Sequence, residues 1–342
     1  MTTFSEYEKM PTSLKKLGLT EKDLSLMEKL KWVVTEKVHG ANFSISFDKQ
    51  QLQYAKRKDY LKWEDDFFAF QLAVAEIEDA IIRLFESLSH NLEADKYIVY
   101  GELFGGSYPH PDVIPDKNVQ AIQTGIYYAP TIHFYAFDIA IVKQNKKLYL
   151  DYETAIAYFL KFGILHAKPL FIGKLNEALN YNIRINTTIP KQLNLPELCD
   201  NIIEGIVIKP YNQTNQDSIT TRPILKIKNP EFEEQNQFHE ARKWSFQSTV
   251  ISKSEQLSFI VEDLRNYITT NRLQNAISKI GAPDATNKQR MTDIETEFTQ
   301  DILATFNEDN NNLLNELSEE QNQWIQERIK YEITRTISTQ NK

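Results

Sequence analysis

The sequence predicts an α+β protein, with antiparallel sheets and flanking helices in the first two-thirds and a separate all-helical segment after them. Three observations predict it. Short β-branched and aromatic runs bounded by Gly, Pro, Asn or Asp recur up to about residue 230. They do not alternate regularly with helical stretches, which argues against a doubly wound parallel sheet. Beyond the polar, charged stretch 231–243, apolar residues recur at the spacings of three and four that a helix needs.

Taken in order, residues 31–34, 41–47, 97–100, 131–142, 203–209 and 224–228 are read as strands. Residues 65–89 carry Phe68, Leu72, Ala75, Ile82 and Phe85 near helical spacing, as an amphipathic helix on a sheet does. Later, Leu257, Ile260, Val261, Leu264 and Ile268 form a stripe that Leu273, Ile277 and Ile280 extend to Gly281, with Pro283 just beyond, a natural helix stop. Ile294, Phe298, Ile302 and Phe306 make another stripe, the Asn-rich 307–312 interrupts it, and Leu313, Leu317, Trp324, Ile329, Ile333 and Ile337 resume it. Ser318 followed three residues on by Gln321 is the pattern of a capping box. Two domains are expected, 1–244 and 245–342, each long enough to bury its own core.

Composition narrows the function. The 342 residues hold 39 Lys+Arg against 47 Asp+Glu, a net charge of −8, with 41% hydrophobic residues, which excludes disordered and fibrous classes. The acidic balance argues against indiscriminate nucleic-acid binding but leaves room for a local basic groove. From Ser245 onward there are 15 acidic and 10 basic residues, so this part carries −5 and the rest only −3. Such a groove is therefore expected in the first two-thirds. In the last third, Arg265, Arg272 and Lys279 recur at seven-residue spacing, either a local RNA-contacting stripe on one continuous helix or a solvated face. Cys199 is the single cysteine, which excludes an intrachain disulfide, and the absence of CxxC and HExxH runs removes the usual zinc sites. No stretch approaches about 18 consecutive apolar residues, and residues 1–10 lack a basic start followed by an apolar run. The expectation is a soluble, unexported, cytoplasmic monomer without a membrane partner.

Five segments carry the chemistry. Lys37 ends an apolar strand within Glu36-Lys37-Val38-His39-Gly40-Ala41-Asn42. Glu102 stands among glycines in Tyr100-Gly101-Glu102-Leu103-Phe104-Gly105, and Phe137 lies on the aromatic platform Phe134-Tyr135-Ala136-Phe137-Asp138. Glu204-Gly205-Ile206-Val207-Ile208-Lys209 and Leu225-Lys226-Ile227-Lys228-Asn229 place charges in otherwise apolar strands, where buried charges need partners. Singly, each has a bland explanation: a surface lysine at a corner, a turn-closing glutamate, a core phenylalanine, a solvated strand face.

Together, and in this order, they resemble motifs I, III, IIIa, IV and V of the covalent nucleotidyltransferase superfamily. Within it the sequence is similar to the RNA ligase 2 family, which includes phage RNA ligase 2 and the kinetoplastid RNA-editing ligases. His39 in motif I, Ala55-Lys56-Arg57 as motif Ia, Asp66-Phe67-Phe68, and the segment from Arg272 to Gly281 carry the likeness across nearly the whole chain. Residues 107–132 form a longer insert than the phage enzyme has and look more like the editing ligases.

The resemblance implies a nucleotidyltransferase (ATP-grasp-like ligase) domain and a helical RNA-engaging domain. It implies ATP, Mg²⁺ with Mn²⁺ as a substitute, and RNA with 3′-OH and 5′-phosphate ends, in particular a nicked duplex. Lys37 would be the nucleophile; Glu102 would hold the ribose, Phe137 would stack on adenine, and Arg57 would contact the nucleotide and later the RNA phosphate. The backbone at Glu36 and Val38, with Asn42, would complete the nucleotide pocket, Glu204 would serve the metal, and Lys226 and Lys228 would face the triphosphate. His39 reads equally well as a structural histidine.

Elementary chemistry supports the assignment: a free lysine amine is almost wholly protonated at neutral pH, so a nucleophilic lysine needs cations or a metal beside it. Rival readings are weaker. DNA ligases and capping guanylyltransferases append an OB-fold where this chain has helical periodicity. A catalytically idle RNA-binding relative would be expected to have lost Lys37, Glu102, Glu204, Lys226 or Lys228, and all five are present. A P-loop enzyme is not supported, because no GxxxxGK[ST] run occurs.

Overall fold

The apolar run ending at Lys37 forms the first of ten strands in the computed structural model, which describes residues 4, 6–212, 222–232, 257, 260, 261, 263–310 and 312–339. The strands are β1 (Trp32–Lys37), β2 (Ala41–Phe47), β3 (Leu52–Lys56), β4 (Tyr60–Leu61), β5 (Lys96–Ser107), β6 (Ala129–Lys143), β7 (Lys146–Tyr149), β8 (Pro169–Gly173), β9 (Gly205–Pro210) and β10 (Leu225–Lys228). One sheet has the order β10-β9-β1-β8 and the other β4-β3-β2-β5-β6-β7. Every named pairing is antiparallel, so the α+β expectation holds. The chain divides into two compact units, Met1–Asn229 and Pro230–Lys342. The domain boundary expected at 244/245 lies outside the described residues.

The strands absent from the sequence reading, β3, β4, β7 and β8, are short and largely half-buried or exposed. Their place is set by the neighbour each pairs with, and a period of two is barely visible in so few residues. β5 is far longer than the expected 97–100, because the glycines that look like terminators lie inside it. A Cβ on Gly101 would come 2.3 Å from the Phe134 ring, so the glycine there marks close packing of β5 on β6.

Helices α1 (Glu21–Met27), α2 (Phe70–Asn91), α3 (Tyr152–Phe162), α4 (Leu175–Leu179) and α5 (Ile189–Gln192) accompany the sheets. α2 starts at Phe70 rather than at 65, because Phe68 and Ala69 hold left-handed backbone at φ 51° and 50°. Its buried stripe is Phe70, Ala73, Val74, Ile81, Leu84, Phe85 and Leu88, whereas Leu72, Ala75 and Ile82 are exposed. The helix carries apolar residues on more than one face, and those one position off the buried stripe are turned about 100° away from it. Under the first sheet, Trp32, Val34, Ile206, Ile208 and Leu225 bury against Met27 of α1.

The second unit contains α6 (Thr270–Ile280), α7 (Lys288–Asp309) and α8 (Glu319–Thr339). The Thr269 hydroxyl caps α6, which stops at Gly281 as expected. The 307–312 break is real: α7 ends at Asp309, a short 3-10 turn covers Leu313–Glu316, and α8 follows. Ser318 N–H donates to Gln321 Oε1 (2.8 Å) and Gln321 N–H to Ser318 Oγ (3.3 Å), the expected capping box. No helix among the described residues is long and apolar enough to cross a membrane.

The basic stripe is corrected. Residues 266–269 are not helical, so Arg265 and Arg272 do not share one helix. The Arg272 side chain is only 2% exposed and donates to Asp301 and Thr305 of α7 at 2.9 Å each, Lys279 pairs with Glu297 (2.7 Å), and Arg265 pairs with Glu332 (2.8 Å). Arg272 and Lys279 are tied into packing within the unit and Arg265 is an exposed surface pair on a separate helical segment, so the three do not form one stripe on a continuous helix.

Candidate active site

Strand register assembles the site. Lys37 on β1 lies opposite Gly205 on β9, and Gly205 lies opposite Lys228 on β10. Glu204, one residue before Gly205, is therefore set between two lysines: Lys37 Nζ is 2.5 Å from Oε2 and Lys228 Nζ 2.9 Å from Oε1. A Cβ on Gly205 would fall 2.1 Å from the Ile227 carbonyl oxygen, so only glycine lets β10 approach this closely. After Lys37 the chain crosses to the second sheet through Val38, His39 and Gly40. Gly40 is needed for the same reason, since its Cβ would meet the Leu103 carbonyl oxygen at 2.1 Å. β2 then pairs with β5, placing Asn42 opposite Glu102, whose carboxylate it hydrogen-bonds.

The charges interact strongly because they are withdrawn from water. Burial alone would raise the Glu204 carboxyl, but Lys37 and Lys228 hold it well below the usual carboxylate range. Burial pushes the Glu102 carboxyl up to about 7, with Lys37 opposing and Glu204 reinforcing the shift. Burial, followed by repulsion from Lys37 and Lys228, pulls the Lys226 ammonium down to about 7. His39 Nδ1 is 3.7 Å from Glu204 Oε2, yet burial keeps the imidazole below its ordinary value.

Glu102 yields a stability prediction. Its carboxyl ionises near 4.5 unfolded and near 7 folded, so it is neutral in both states at pH 4 and costs the fold its full desolvation above pH 7. Glu102→Gln is therefore expected to stabilise the ligand-free protein by about 2 kcal/mol at pH 8, allowing for partial solvent contact, and to leave it unchanged at pH 4. Urea unfolding at the two pH values checks this; equal effects at both would remove the buried-carboxylate account.

Other expected site residues are placed less directly. Arg57 is within electrostatic reach of Glu102 and Lys226, but its Nε–H donates to Glu6 at 3.3 Å. The Phe137 ring packs edge to face on Tyr7 at 5.0 Å, beside Tyr100, Ala140 and Tyr149. Val38 is buried, and its carbonyl accepts from Lys37 Nζ at 3.4 Å. The Glu36 carboxylate is caged, accepting from the Thr187 hydroxyl and from the Thr188 N–H and hydroxyl, so its backbone alone is left for a ligand.

Sequence reasoning missed a buried network next to Phe137. Asp138 accepts from Tyr7 OH (2.6 Å), Lys209 Nζ (2.6 Å) and Arg222 Nη2 (2.7 Å), and Lys209 also donates to the Phe137 carbonyl (2.8 Å). Asp138 and Lys209 were visible as charges inside apolar runs, but nothing local says that they meet across 71 residues. Deleting Asp138 would leave the Lys209 and Arg222 cations without their shared partner, at a cost of about 3–5 kcal/mol, whereas deleting Lys209 leaves Asp138 paired with Arg222.

Among the described residues, no group of three or more His, Cys, Asp or Glu forms a metal cage. A magnesium ion usually takes one or two carboxylates together with phosphate oxygens and water, and Glu204 fits that donor set when shared with a nucleotide. Amine, lysines and carboxylate thus meet where two sheets join, an arrangement suited to attack on a polyphosphate.

Residues 30–228 match the family model described as RNA ligase, and residues 251–335 match the one described as T4 RNA ligase 2 C-terminal. The mitochondrial RNA-editing ligase 2 of Trypanosoma brucei brucei is 29% identical over 323 residues, covering 81% of this chain and 77% of the relative. The mitochondrial RNA-editing ligase 1 of that organism is 28% identical over 348 residues, covering 86% and 72%. Among solved structures, an apo variant of the Naegleria gruberi RNA ligase aligns with a TM-score of 0.45 at 15% identity, covering 68% of this chain. This chain spans 57% of that ligase, little more than half its length.

Proposed function

The chain belongs to the RNA ligase family, and from that premise we propose that it is an ATP-dependent RNA ligase working through lysyl-AMP. The observation that carries the proposal is Lys37 held against Glu204 and Lys228, with Lys226 and Glu102 in electrostatic reach.

Lys37 leaves Glu204, gives up its ammonium protons to solvent as the bond forms, and attacks the α-phosphorus of ATP. The Nζ–P bond forms as the bond to the bridging oxygen breaks, releasing pyrophosphate. AMP then passes to an RNA 5′-phosphate, which frees Lys37, and a 3′-hydroxyl displaces AMP to form the phosphodiester. Lys226 and Lys228 neutralise charge on the triphosphate, where fixed cations act most strongly on the transition state. Glu102 orients the ribose hydroxyls, Phe137 stacks on adenine, and Arg57 exchanges Glu6 for a phosphate. A magnesium ion held by Glu204 and phosphate oxygens would add further charge neutralisation at the reacting phosphate.

The test is incubation with α-labelled ATP or GTP followed by denaturation. Label retained on the protein from ATP alone is expected; none from ATP, or equal labelling from GTP, would sink the proposal.

The RNA is proposed to be a nicked duplex, a reading supported by the match of the second unit to the T4 RNA ligase 2 C-terminal model. The nucleotide motifs all lie before residue 230. Truncation after residue 244 is therefore expected to leave lysyl-AMP formation intact and to lower nick sealing about tenfold or more, through lost RNA contacts. Loss of both activities in a folded truncation would mean that the second unit shapes the nucleotide pocket, and unchanged sealing would mean that it does not hold the substrate.

A further inference from the structure

Lys37 is the last residue of β1, where the chain leaves its sheet, and an amine on such an end needs its backbone held from both sides. Upstream, the carboxylate of Glu36, only 3% exposed, accepts from the Thr187 hydroxyl and, at 2.8 Å each, from the Thr188 N–H and hydroxyl. Downstream, the His39 N–H donates to the Tyr128 hydroxyl at 3.0 Å. Tyr128 is fully buried and packs edge to face on Phe104, with ring centres 5.3 Å apart.

These two anchors meet at one residue. Tyr127 N–H donates to Asn201 Oδ1 (2.9 Å), Asn201 Nδ2 donates to the Tyr127 carbonyl (2.6 Å), and the Asn201 carbonyl accepts from Thr187 N–H (2.8 Å). A closed ring results, running from Glu36 through Lys37 and His39 to Tyr128, then by Tyr127, Asn201 and Thr187 back to Glu36. A primary amide supplies the coplanar donor and acceptor that engage both polar groups of Tyr127; a carboxylate lacks the donor. Asn201 also lies three residues before Glu204, so it steadies the segment that carries the opposing carboxylate.

We propose that Tyr128 and Asn201 are positioning residues for the Lys37 amine, and that the 107–132 insert serves the first chemical step by supplying Tyr128. The proposal rests on the lysyl-AMP reading of the site. Neither residue touches the reacting atoms; each acts through the backbone beside Lys37. Misplacing an attacking atom by about 1 Å costs roughly a hundredfold in rate, and a lost backbone anchor is a direct way to produce such a shift.

Tyr128→Phe keeps the buried ring and removes only the acceptor for His39, while Asn201→Asp keeps the shape and removes the donor to Tyr127. Single-turnover labelling of full-length protein with α-labelled ATP separates two quantities: the amplitude counts folded sites, and the rate constant reports how well the amine is placed. At saturating ATP the rate constant is expected to fall about ten- to a hundredfold in each variant, with amplitude and half-saturating ATP within about twofold of wild type. Wild-type rate constants in both variants would overturn the proposal. So would a loss of amplitude with an unchanged rate constant, which is the mark of a purely structural role. Failure of the wild-type protein to label would overturn the lysyl-AMP reading and this inference with it, whereas normal wild-type labelling with unimpaired variants would overturn this inference alone.

Discussion

Lys37→Ala is expected to abolish lysyl-AMP formation and the sealing of 5′-phosphate RNA, while joining of pre-adenylated RNA survives in part. The amine is required to accept AMP and to pass it on; the final displacement by a 3′-hydroxyl takes place with Lys37 free. Lys226 and Lys228 both stand on β10, separated from β1 by β9, so neither occupies the place of Lys37 at the end of β1. The loss of the first step should exceed about ten-thousandfold, as removal of a covalent nucleophile does. The variant should remain folded. The Lys37 side chain is 17% exposed, and Glu204 keeps its second partner, Lys228, at 2.9 Å. Parallel assays with ATP plus 5′-phosphate RNA and with pre-adenylated RNA check the split; full ATP-dependent activity would remove Lys37 from its role.

The second large effect is expected at Glu204. Glu204→Gln should slow lysyl-AMP formation about a hundredfold or more by removing the charge that Lys37 and Lys228 share and that the proposed magnesium site would use. Glu204→Ala should do the same and also destabilise the ligand-free fold by about 3–5 kcal/mol, because it leaves the Lys37 and Lys228 ammonium groups together without their counter-ion. The two variants differ in what they test. The glutamine keeps the side chain's volume and one acceptor oxygen but turns an NH2 donor toward the second lysine, so it removes the charge and one of the two pairings, while the alanine adds the packing and desolvation loss. Rates at saturating ATP with denaturant midpoints for both variants distinguish them. A glutamine variant as fast as wild type would show that the negative charge has no part in the reaction.

Much of this site was legible because its signals are local. A lysine closing an apolar strand before a turn glycine, a glutamate before Gly205 and two lysines two residues apart on one strand each stand out against their own neighbours. The family, the antiparallel α+β class, the Gly281 stop and the Ser318–Gln321 cap were readable for the same reason. Several features were not. The buried face of α2 was misjudged by one position, since two apolar stripes compete there and only contact with a sheet selects one. Arg272 looks like a surface cation at helical spacing, but its partner Asp301 is 29 residues away on α7. Tyr128, Asn201 and Arg222 carry no local mark at all, because each acquires its role by meeting a group from a distant segment. Periodicity, caps, turn glycines and out-of-place charges are properties of a few consecutive residues, so the sequence by itself determined the fold class, several of the longer elements and the candidate chemistry, while β3, β4, β7 and β8 took their place from the strands they pair with. Which charges pair, which face is buried and what braces the nucleophile were decided by tertiary structure, because hydrogen bonds and desolvation act between atoms that only folding brings within about 3 Å of each other.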